Sequence, residues 1–362
     1  MQEIMQGIAD ELVASGVERG LQVAVYRRGE LLADVVAGVA DAETGRPFTS
    51  GTPVYATSTG KGVTAAVVHV LAERGVLDYD TPIAELWPEF GARGKERATI
   101  RHALSHQAGV PGVPVATTPE DLCDWDRMCA ALADAEPWWE PGIRCGYHPQ
   151  TFGYLLGEVV RRVTGERISR VLEEEVAGPL GVSGELFCAV PEAELGRLAR
   201  IEEAAPPTPP GGGNPFFRVV GGYTAMPVAA LPGAAFSNRR DVLTAEIPAG
   251  GTMTARAVAR VYDALLTGEL VPPARLRELS APAVSGLDEV TGVRATWGLG
   301  YGIGLTPGLA APTVFGMPGS GGTAAFADTA TGLAVGVMKN RIVAGDFTTV
   351  DRIGSAALSA VR

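Results

Sequence analysis

Strand-forming segments lie at the two ends of this 362-residue chain, and helix-forming segments lie between them. Near the N-terminus, residues 21–26 and 31–36 are rich in β-formers, flank a tight turn at 27–30, and predict a hairpin at the edge of a sheet. The last hundred residues predict four further glycine-bounded strands: 298–305, 313–316, 323–328 and 333–339. The sequence therefore predicts one sheet built from both chain ends, with a helical insertion.

Helical periodicity covers most of the remaining chain. The predicted helices are 3–15, the segment from Ser58 to Gly75, 83–87, 99–106, 119–135, 150–176, 226–231, 237–244, 255–266 and 347–361. The chain is long enough for two domains. We expect an α/β (α+β) protein whose sheet domain comprises 1–95 and 230–362, and whose helical insertion domain comprises 96–229.

A stretch rich in proline and glycine interrupts this pattern at 202–215. Such composition is typical of a flexible connector, and also of a lid over a binding site. The sequence leaves both interpretations open.

Composition excludes several classes of function. The net charge of −11, with no local cluster of Lys and Arg, disfavours binding to nucleic acid or to an anionic membrane. The N-terminus lacks the basic start and apolar core of a signal peptide, and no apolar run is long enough to span a bilayer. The four cysteines lack metal-binding spacing, so we expect reduced thiols, a cytoplasmic location, and neither metal nor cofactor.

A Ser-x-x-Lys element begins the helix that follows residue 57. Ser58 and Lys61 are three residues apart, so a helix places both side chains on one face. A lysine in surroundings that favour the neutral amine can activate a serine nucleophile, and a helix start offers backbone N–H groups for an oxyanion. The alternative is a capping serine followed by a solvated lysine.

Two glycine-containing loops are further candidates. The loop 141–149 presents Tyr147, which is either a packing residue or a proton relay beside Ser58. The segment 315–322 is dense in glycine, and either supplies a second oxyanion N–H or forms a plain hairpin turn. His102 and His106 have the spacing of a metal pair but no third ligand, so structural hydrogen bonding is favoured.

Four segments, in this order, resemble the serine β-lactamase and penicillin-recognising superfamily, and its class C branch with esterase relatives in particular. They are 58–90, 99–112, 140–165 and 315–340. The resemblance implies an antiparallel sheet flanked by helices, a mostly helical second domain and a site between them. It also implies that Ser58 is the acylated nucleophile, Lys61 its base and Tyr147 the proton shuttle. The oxyanion hole would be the backbone N–H groups of Ser58 and Ser320.

The chain departs from the family pattern at two positions. Tyr147-His148-Pro149 replaces Tyr-x-Asn, and Met317 stands where the third motif begins with lysine or histidine. Met317, Gly319 and His148 thus occupy the positions implied to bind substrate. Methionine cannot bind a substrate carboxylate, although it makes a good apolar wall. A neutral ester fits this chain better than a penicillin.

These observations predict a serine acyl-transfer enzyme that forms an acyl-Ser58 intermediate from a small-molecule acyl donor. The acceptor is water in an esterase, or an amine or alcohol in a transacylase of the kind that the resemblance connects with antibiotic biosynthesis. A β-lactam hydrolase or D,D-peptidase-like enzyme is an alternative, as is a non-catalytic binding protein on the same fold. The oligomeric state is left open.

Replacing Met317 by His or Lys is expected to raise kcat/KM for carboxylate-bearing β-lactams. The new cation would bind the carboxylate through a charge-assisted hydrogen bond. Steady-state hydrolysis of a penicillin by the wild type and the two variants measures the effect. Identical rates in all three proteins would mean that position 317 does not line the site.

Overall fold

The computed structural model describes residues 1–204 and 215–361. The greater part of the predicted connector or lid at 202–215 lies outside these described residues.

The described residues form thirteen α-helices and seventeen β-strands. The α-helices are α1 Gln2–Ala14, α2 Gly60–Glu73, α3 Ile83–Leu86, α4 Ile100–Leu104, α5 Pro119–Cys123, α6 Trp125–Asp134, α7 Thr151–Thr164, α8 Ile168–Leu172, α9 Ala234–Ser237, α10 Arg240–Thr244, α11 Ala255–Thr267, α12 Pro273–Ser280 and α13 Thr348–Ser359. The strands are β1 Gly20–Arg27, β2 Glu30–Asp41, β3 Arg46–Pro47, β4 Val54–Tyr55, β5 Val113–Pro114, β6 Leu186–Phe187, β7 Glu202–Glu203, β8 Val219–Val220, β9 Tyr223–Thr224, β10 Thr252–Met253, β11 Val284–Leu287, β12 Arg294–Trp297, β13 Gly302–Ile303, β14 Val314–Gly319, β15 Thr323–Asp328, β16 Leu333–Lys339 and β17 Arg341–Ile342.

The main sheet of the described residues has nine strands in the order β11-β12-β13-β14-β15-β16-β1-β2-β3. Neighbouring strands are antiparallel, and β1 pairs with β16 from Leu21 opposite Lys339 to Arg27 opposite Leu333. The N-terminal hairpin therefore joins the C-terminal strands in one sheet. The predicted fold class is confirmed.

Both faces of this sheet are covered. Leu21, Val23 and Val25 of β1 pack in a cluster with residues of α1 and α13. The alternate residues, Ala24 and Tyr26, belong to the larger cluster that contains α2, α11 and the helical part of the chain. The period of two along the strand assigns successive side chains to opposite faces. As a result α2, which directly follows the turn that carries Ser58, lies on the second face.

Some element predictions were wrong in detail. The predicted helix 150–176 ends at Thr164, where Gly165 adopts φ +77° and caps α7. The predicted strand 298–305 is reduced to β13. Strands β11 and β12 were not predicted at all, because each has only four residues, none of them buried.

The sheet strands come from 20–47 and 284–339, whereas the domain boundaries at 95/96 and 229/230 stay a prediction. A helix capable of crossing a bilayer is absent from 1–204 and 215–361.

A buried ion pair joins the two chain ends. Lys339 Nζ at the end of β16 lies 2.7 Å from Glu18 Oε1, and both side chains are buried. Thr349 Oγ1 of α13 donates a second hydrogen bond to the same oxygen, at 2.6 Å. Because a buried charge without its partner is costly, each member of this pair depends on the other.

Glu18→Gln is expected to lower the free energy of unfolding by about 3 kcal/mol, because it leaves the Lys339 ammonium buried without a counter-charge. Urea unfolding followed by circular dichroism measures the change. The double variant Glu18→Leu/Lys339→Met is expected to recover most of the loss. A loss below about 1 kcal/mol in the single variant would contradict the role given to the pair.

Candidate active site

A cavity of 570 Å³ opens beside the start of α2. Its walls come from the turn before α2, the loop 141–149, strands β11 to β14 and the segment around 345–347. Its lining residues are Ser58, Tyr147, Phe216, Ser285, Gly286, Thr291, Val293, Arg294, Ala295, Thr296, Trp297, Gly302, Ile303, Gly304, Leu305, Met317, Pro318, Ser320, Gly345 and Phe347. The size is that of a small-molecule site.

Ser58 lies in a strained turn. Thr57 adopts φ +46°, a region that residues with a Cβ rarely enter, and residues Thr57–Thr59 form a 3-10 turn that leads into α2. A Cβ at Gly60 would lie 2.1 Å from Gly250 O, and one at Gly319 would lie 2.4 Å from Ala56 O. Backbone packed from two sides therefore fixes the position of Ser58.

Lys61 is fully buried one turn after Ser58. Its Nζ donates hydrogen bonds to Ser58 Oγ at 3.1 Å and to Ala249 O at 2.8 Å. None of the ion pairs found in 1–204 and 215–361 involves Lys61. Burial without a counter-charge lowers the pKa of this amine to about 7, so a large fraction is neutral at physiological pH.

Tyr147 completes the cluster. Its hydroxyl is hydrogen-bonded to the Ser58 side chain, and its ring lies 5.2 Å from Lys61 Nζ. Burial raises the pKa of the Tyr147 phenol above its usual value, and the hydrogen bond to Ser58 opposes this change in part. Near neutral pH the arrangement therefore combines a serine hydroxyl, a partly neutral amine and a protonated phenol.

The stretch 99–109 contacts the Tyr147 loop through hydrogen bonds and a ring contact. His106 adopts φ +60°, and its carbonyl accepts a hydrogen bond from Gly146 N at 3.0 Å. Its Nδ1 accepts from His148 N at 3.2 Å, and its ring makes an edge contact with the Tyr147 ring at 5.0 Å. His102 instead caps the start of α4. The two histidines thus have separate structural contacts.

The third predicted segment also reaches the cavity. Met317, Pro318 and Ser320 line it, and Gly319 packs on the backbone before Ser58. Ser58 and Ser320 lie on the same cavity, as an oxyanion hole built from their N–H groups requires.

His148 occupies a different place from the other predicted substrate-binding residues. It is fully buried and does not line the cavity. Its Nδ1 lies 2.7 Å from Gly146 O, and burial lowers the pKa of its imidazole to about 3. The ring therefore stays neutral and packs behind Tyr147.

Sequence reasoning missed two residues beside Tyr147. The Trp297 ring stacks on the Tyr147 ring with centroids 5.5 Å apart and an angle of 8° between planes. Asp288, which is fully buried, accepts hydrogen bonds from Tyr147 N. For Trp297 the available sequence signal was its position directly before the glycine-rich run at 298–304. Nothing in the sequence around Asp288 marks its contact with the loop 141–149.

A serine, a buried lysine and a tyrosine in mutual contact at a cavity define a serine hydrolase. The Beta-lactamase family model matches residues 5–357. Esterase/beta-lactamase LipL of Mycobacterium tuberculosis is 36% identical over 344 residues, which is 90% of this chain and 77% of LipL. Esterase EstB of Burkholderia gladioli is 29% identical over 358 residues, with coverage of 90% and 87%.

Solved structures agree with these relatives. The crystal structure of a family VIII carboxylesterase superposes with a TM-score of 0.86 at 32% identity, and the match covers 99% of this chain and 96% of that one. The chain therefore belongs to the beta-lactamase family.

The reactivity of Ser58 is expected to follow the protonation of Lys61. Only the neutral amine accepts a proton, so labelling of Ser58 by an activated phosphonate should rise about tenfold per pH unit below pH 7 and level off above it. Intact-mass spectrometry at a series of pH values measures the rate. Lys61→Met should slow labelling by about 10³-fold.

Lys95 provides a matched control. Its amine is also buried and donates to three carbonyl oxygens, those of Ala92, Ala133 and Ala135. Burial lowers its pKa to about 8, but it does not line the cavity. Lys95→Met should leave the midpoint of the pH profile unchanged. A midpoint above pH 9 in the wild type would contradict the role of Lys61.

Proposed function

We propose that this protein is a carboxylesterase that hydrolyses neutral small-molecule esters through an acyl-Ser58 intermediate. One observation carries the proposal: Lys61 Nζ lies 3.1 Å from Ser58 Oγ, and its only other hydrogen-bond partner among the described residues is the carbonyl oxygen of Ala249. An amine with these partners is suited to accept the serine proton.

The proposed reaction begins with attack of Ser58 Oγ on the ester carbonyl. The hydroxyl proton moves to Lys61 Nζ as the new C–O bond forms, and the backbone N–H groups of Ser58 and Ser320 stabilise the oxyanion. When the bond to the alcohol breaks, Tyr147 donates its phenol proton to the leaving oxygen, and the Lys61 ammonium returns a proton to Tyr147. Water then attacks the acyl group and restores Ser58 by the reverse transfers.

The assignment of base and acid follows from the two pKa shifts. Burial lowers the pKa of Lys61 to about 7 and raises that of Tyr147 above its usual value. At neutral pH the amine can therefore take a proton, while the phenol still has one to give. Opposite shifts in two adjacent groups favour this division of roles over a tyrosinate base.

The cavity walls support a neutral ester as substrate. Trp297, Ile303, Leu305, Met317 and Phe347 make much of the lining apolar, and burying apolar groups of a substrate against them is favourable. Met317 leaves the position of the third-motif cation without charge. Substrate contacts at Met317 and Gly319 form part of this proposal, whereas the buried ring of His148 supports the Tyr147 loop instead.

Water is the acceptor that we favour, since LipL, EstB and the family VIII carboxylesterase are all named as esterases. Transfer to an amine or alcohol, and a biosynthetic role with it, is the competing outcome of the test below. The four free thiols, three of them buried, support the cytoplasm as the place of action.

Incubation of the protein with a short-chain aryl ester should give a Ser58 adduct of the acyl mass, with rapid release of the acid in water. Intact-mass spectrometry and product analysis follow the two steps. Ser58→Ala should abolish the adduct and lower turnover by about 10⁴-fold or more. A penicillin should be hydrolysed poorly compared with the ester.

The other outcomes separate the alternatives. An adduct that persists in water and is discharged only by an added amine or alcohol would make the protein a transacylase. Absence of an adduct, with Ser58→Ala and wild type behaving identically, would leave a binding protein on a hydrolase fold.

A further inference from the structure

Asp288 accepts hydrogen bonds from the Tyr147 loop and from its own turn. The residue begins the turn between β11 and β12, and its carboxylate is fully buried. Tyr147 N donates to its Oδ1 at 3.0 Å and to its Oδ2 at 2.9 Å. Within its own turn, Val290 N and Thr291 N donate to Oδ1 at 3.0 and 2.8 Å. The turn and the loop 141–149 thus share one acceptor.

The same carboxylate also orients the ring that packs on Tyr147. Trp297 Nε1 donates to Asp288 Oδ2 at 3.4 Å, while the Trp297 ring stacks nearly parallel on the Tyr147 ring. A second backbone contact joins the two loops, because Glu289 N donates to Cys145 O at 3.0 Å. Tyr147 is therefore held through its main chain and through its ring face by one hairpin.

The turn between β11 and β12 does not by itself require a carboxylate at position 288. An asparagine can cap a turn of this kind, and burying a carboxylate instead costs free energy that only several donors can offset. No ion pair of the described residues involves Asp288, so N–H groups alone stabilise the charge. What the carboxylate adds is a second oxygen, which reaches both Tyr147 N and the indole of Trp297.

We propose that Asp288 is a positioning residue for Tyr147, which it holds with its phenol against Ser58 so that the leaving alcohol is protonated as its bond breaks. This inference rests on the proposed esterase function. Proton transfer is sensitive to the distance and angle between donor and acceptor, and a displacement of about 1 Å costs about 10²-fold in rate. Replacing the second oxygen by an amide NH₂ group would set a donor against Tyr147 N and Trp297 Nε1, and would leave Tyr147 N with its bond to the first oxygen alone.

The chemistry predicts which substrates depend on Asp288. The leaving group of an alkyl ester is a strongly basic alkoxide, which needs the proton from Tyr147 as the C–O bond breaks. The leaving group of a p-nitrophenyl ester is a weakly basic phenolate, which departs without a proton. Release of the acyl group is common to the two esters, so the difference appears in kcat/KM, which reports acylation. An enzyme with a misplaced Tyr147 therefore loses kcat/KM for the alkyl ester and retains most of it for the aryl ester.

The test compares the ethyl and p-nitrophenyl esters of one acid with the full-length protein. Asp288→Asn should lower kcat/KM about 10²-fold for the ethyl ester and less than about 3-fold for the p-nitrophenyl ester. Tyr147→Phe should show the same selectivity, with a larger loss on the ethyl ester. This selectivity is the readout that a merely destabilised protein would not give.

Asp328→Asn is the matched control. Asp328 is also buried and also accepts from backbone N–H groups of a turn, those of Ala330 and Thr331, but it is the last residue of β15 and lies outside the cavity. Any loss of folded protein in this variant should lower the two activities by equal factors. Folded fractions of all variants are measured by circular dichroism.

Equal losses on the two esters in folded Asp288→Asn would overturn the proposal and leave the esterase function standing. Inactivity of the wild type on both esters would instead overturn the proposed function. Should Asp288→Asn fail to fold, Trp297→Phe decides, because it keeps an aromatic ring on Tyr147 and removes the N–H to Asp288. Trp297 also lines the cavity, so a loss shared by the two esters reports on the cavity wall, and the readout is the ratio of the two kcat/KM values. The ratio of ethyl to p-nitrophenyl kcat/KM should fall about 5-fold; an unchanged ratio would again overturn the proposal.

Discussion

The buried amine of Lys61 is the constraint on which the site depends. A lysine without a counter-charge is expensive in a protein interior, and it persists here because Ser58 Oγ and Ala249 O satisfy two of its donors. Its helix α2 is buried on all sides from Gly60 to Ala72, so the surrounding layers must leave room for it. The close packing of α2 is clear at Gly62, where a Cβ would lie 2.1 Å from Tyr262 Oη. The packing that makes the amine neutral also fixes its distance from Ser58.

Tyr147 reaches this amine on a loop, and a loop needs external support to hold a catalytic distance. His106 supplies it on one side, through its carbonyl and its ring nitrogen, and the β11–β12 hairpin supplies it on the other. The phenol is consequently held between two parts of the chain that are far apart in sequence. This arrangement explains how a loop without a helix or strand of its own holds Tyr147 against Ser58.

One wall of the cavity is formed by short strands that the sequence pattern predicts poorly. Strands β11 and β12 have four residues each, none of them buried, and β13 keeps only two residues of the predicted strand 298–305. They nevertheless supply Trp297 and Ile303 to the wall, beside the apolar Met317. The proposed preference for neutral esters thus rests on Met317, which the sequence revealed, and on wall residues such as Trp297, which it did not.

The sequence by itself determined the sheet built from both chain ends and the placement of Ser58 beside Lys61. Both depend on local periodicity: a period of two in the strands, and one helical turn between the two side chains. For Tyr147 the residues left packing and proton relay open, and the resemblance implied the relay. Tertiary structure alone decided that Lys61 is buried without a counter-charge, that His148 packs behind the site, and that Asp288 and Trp297 hold Tyr147. The physical reason is that burial and hydrogen bonds to main-chain N–H groups arise between distant segments, where no spacing of side chains along the chain records them.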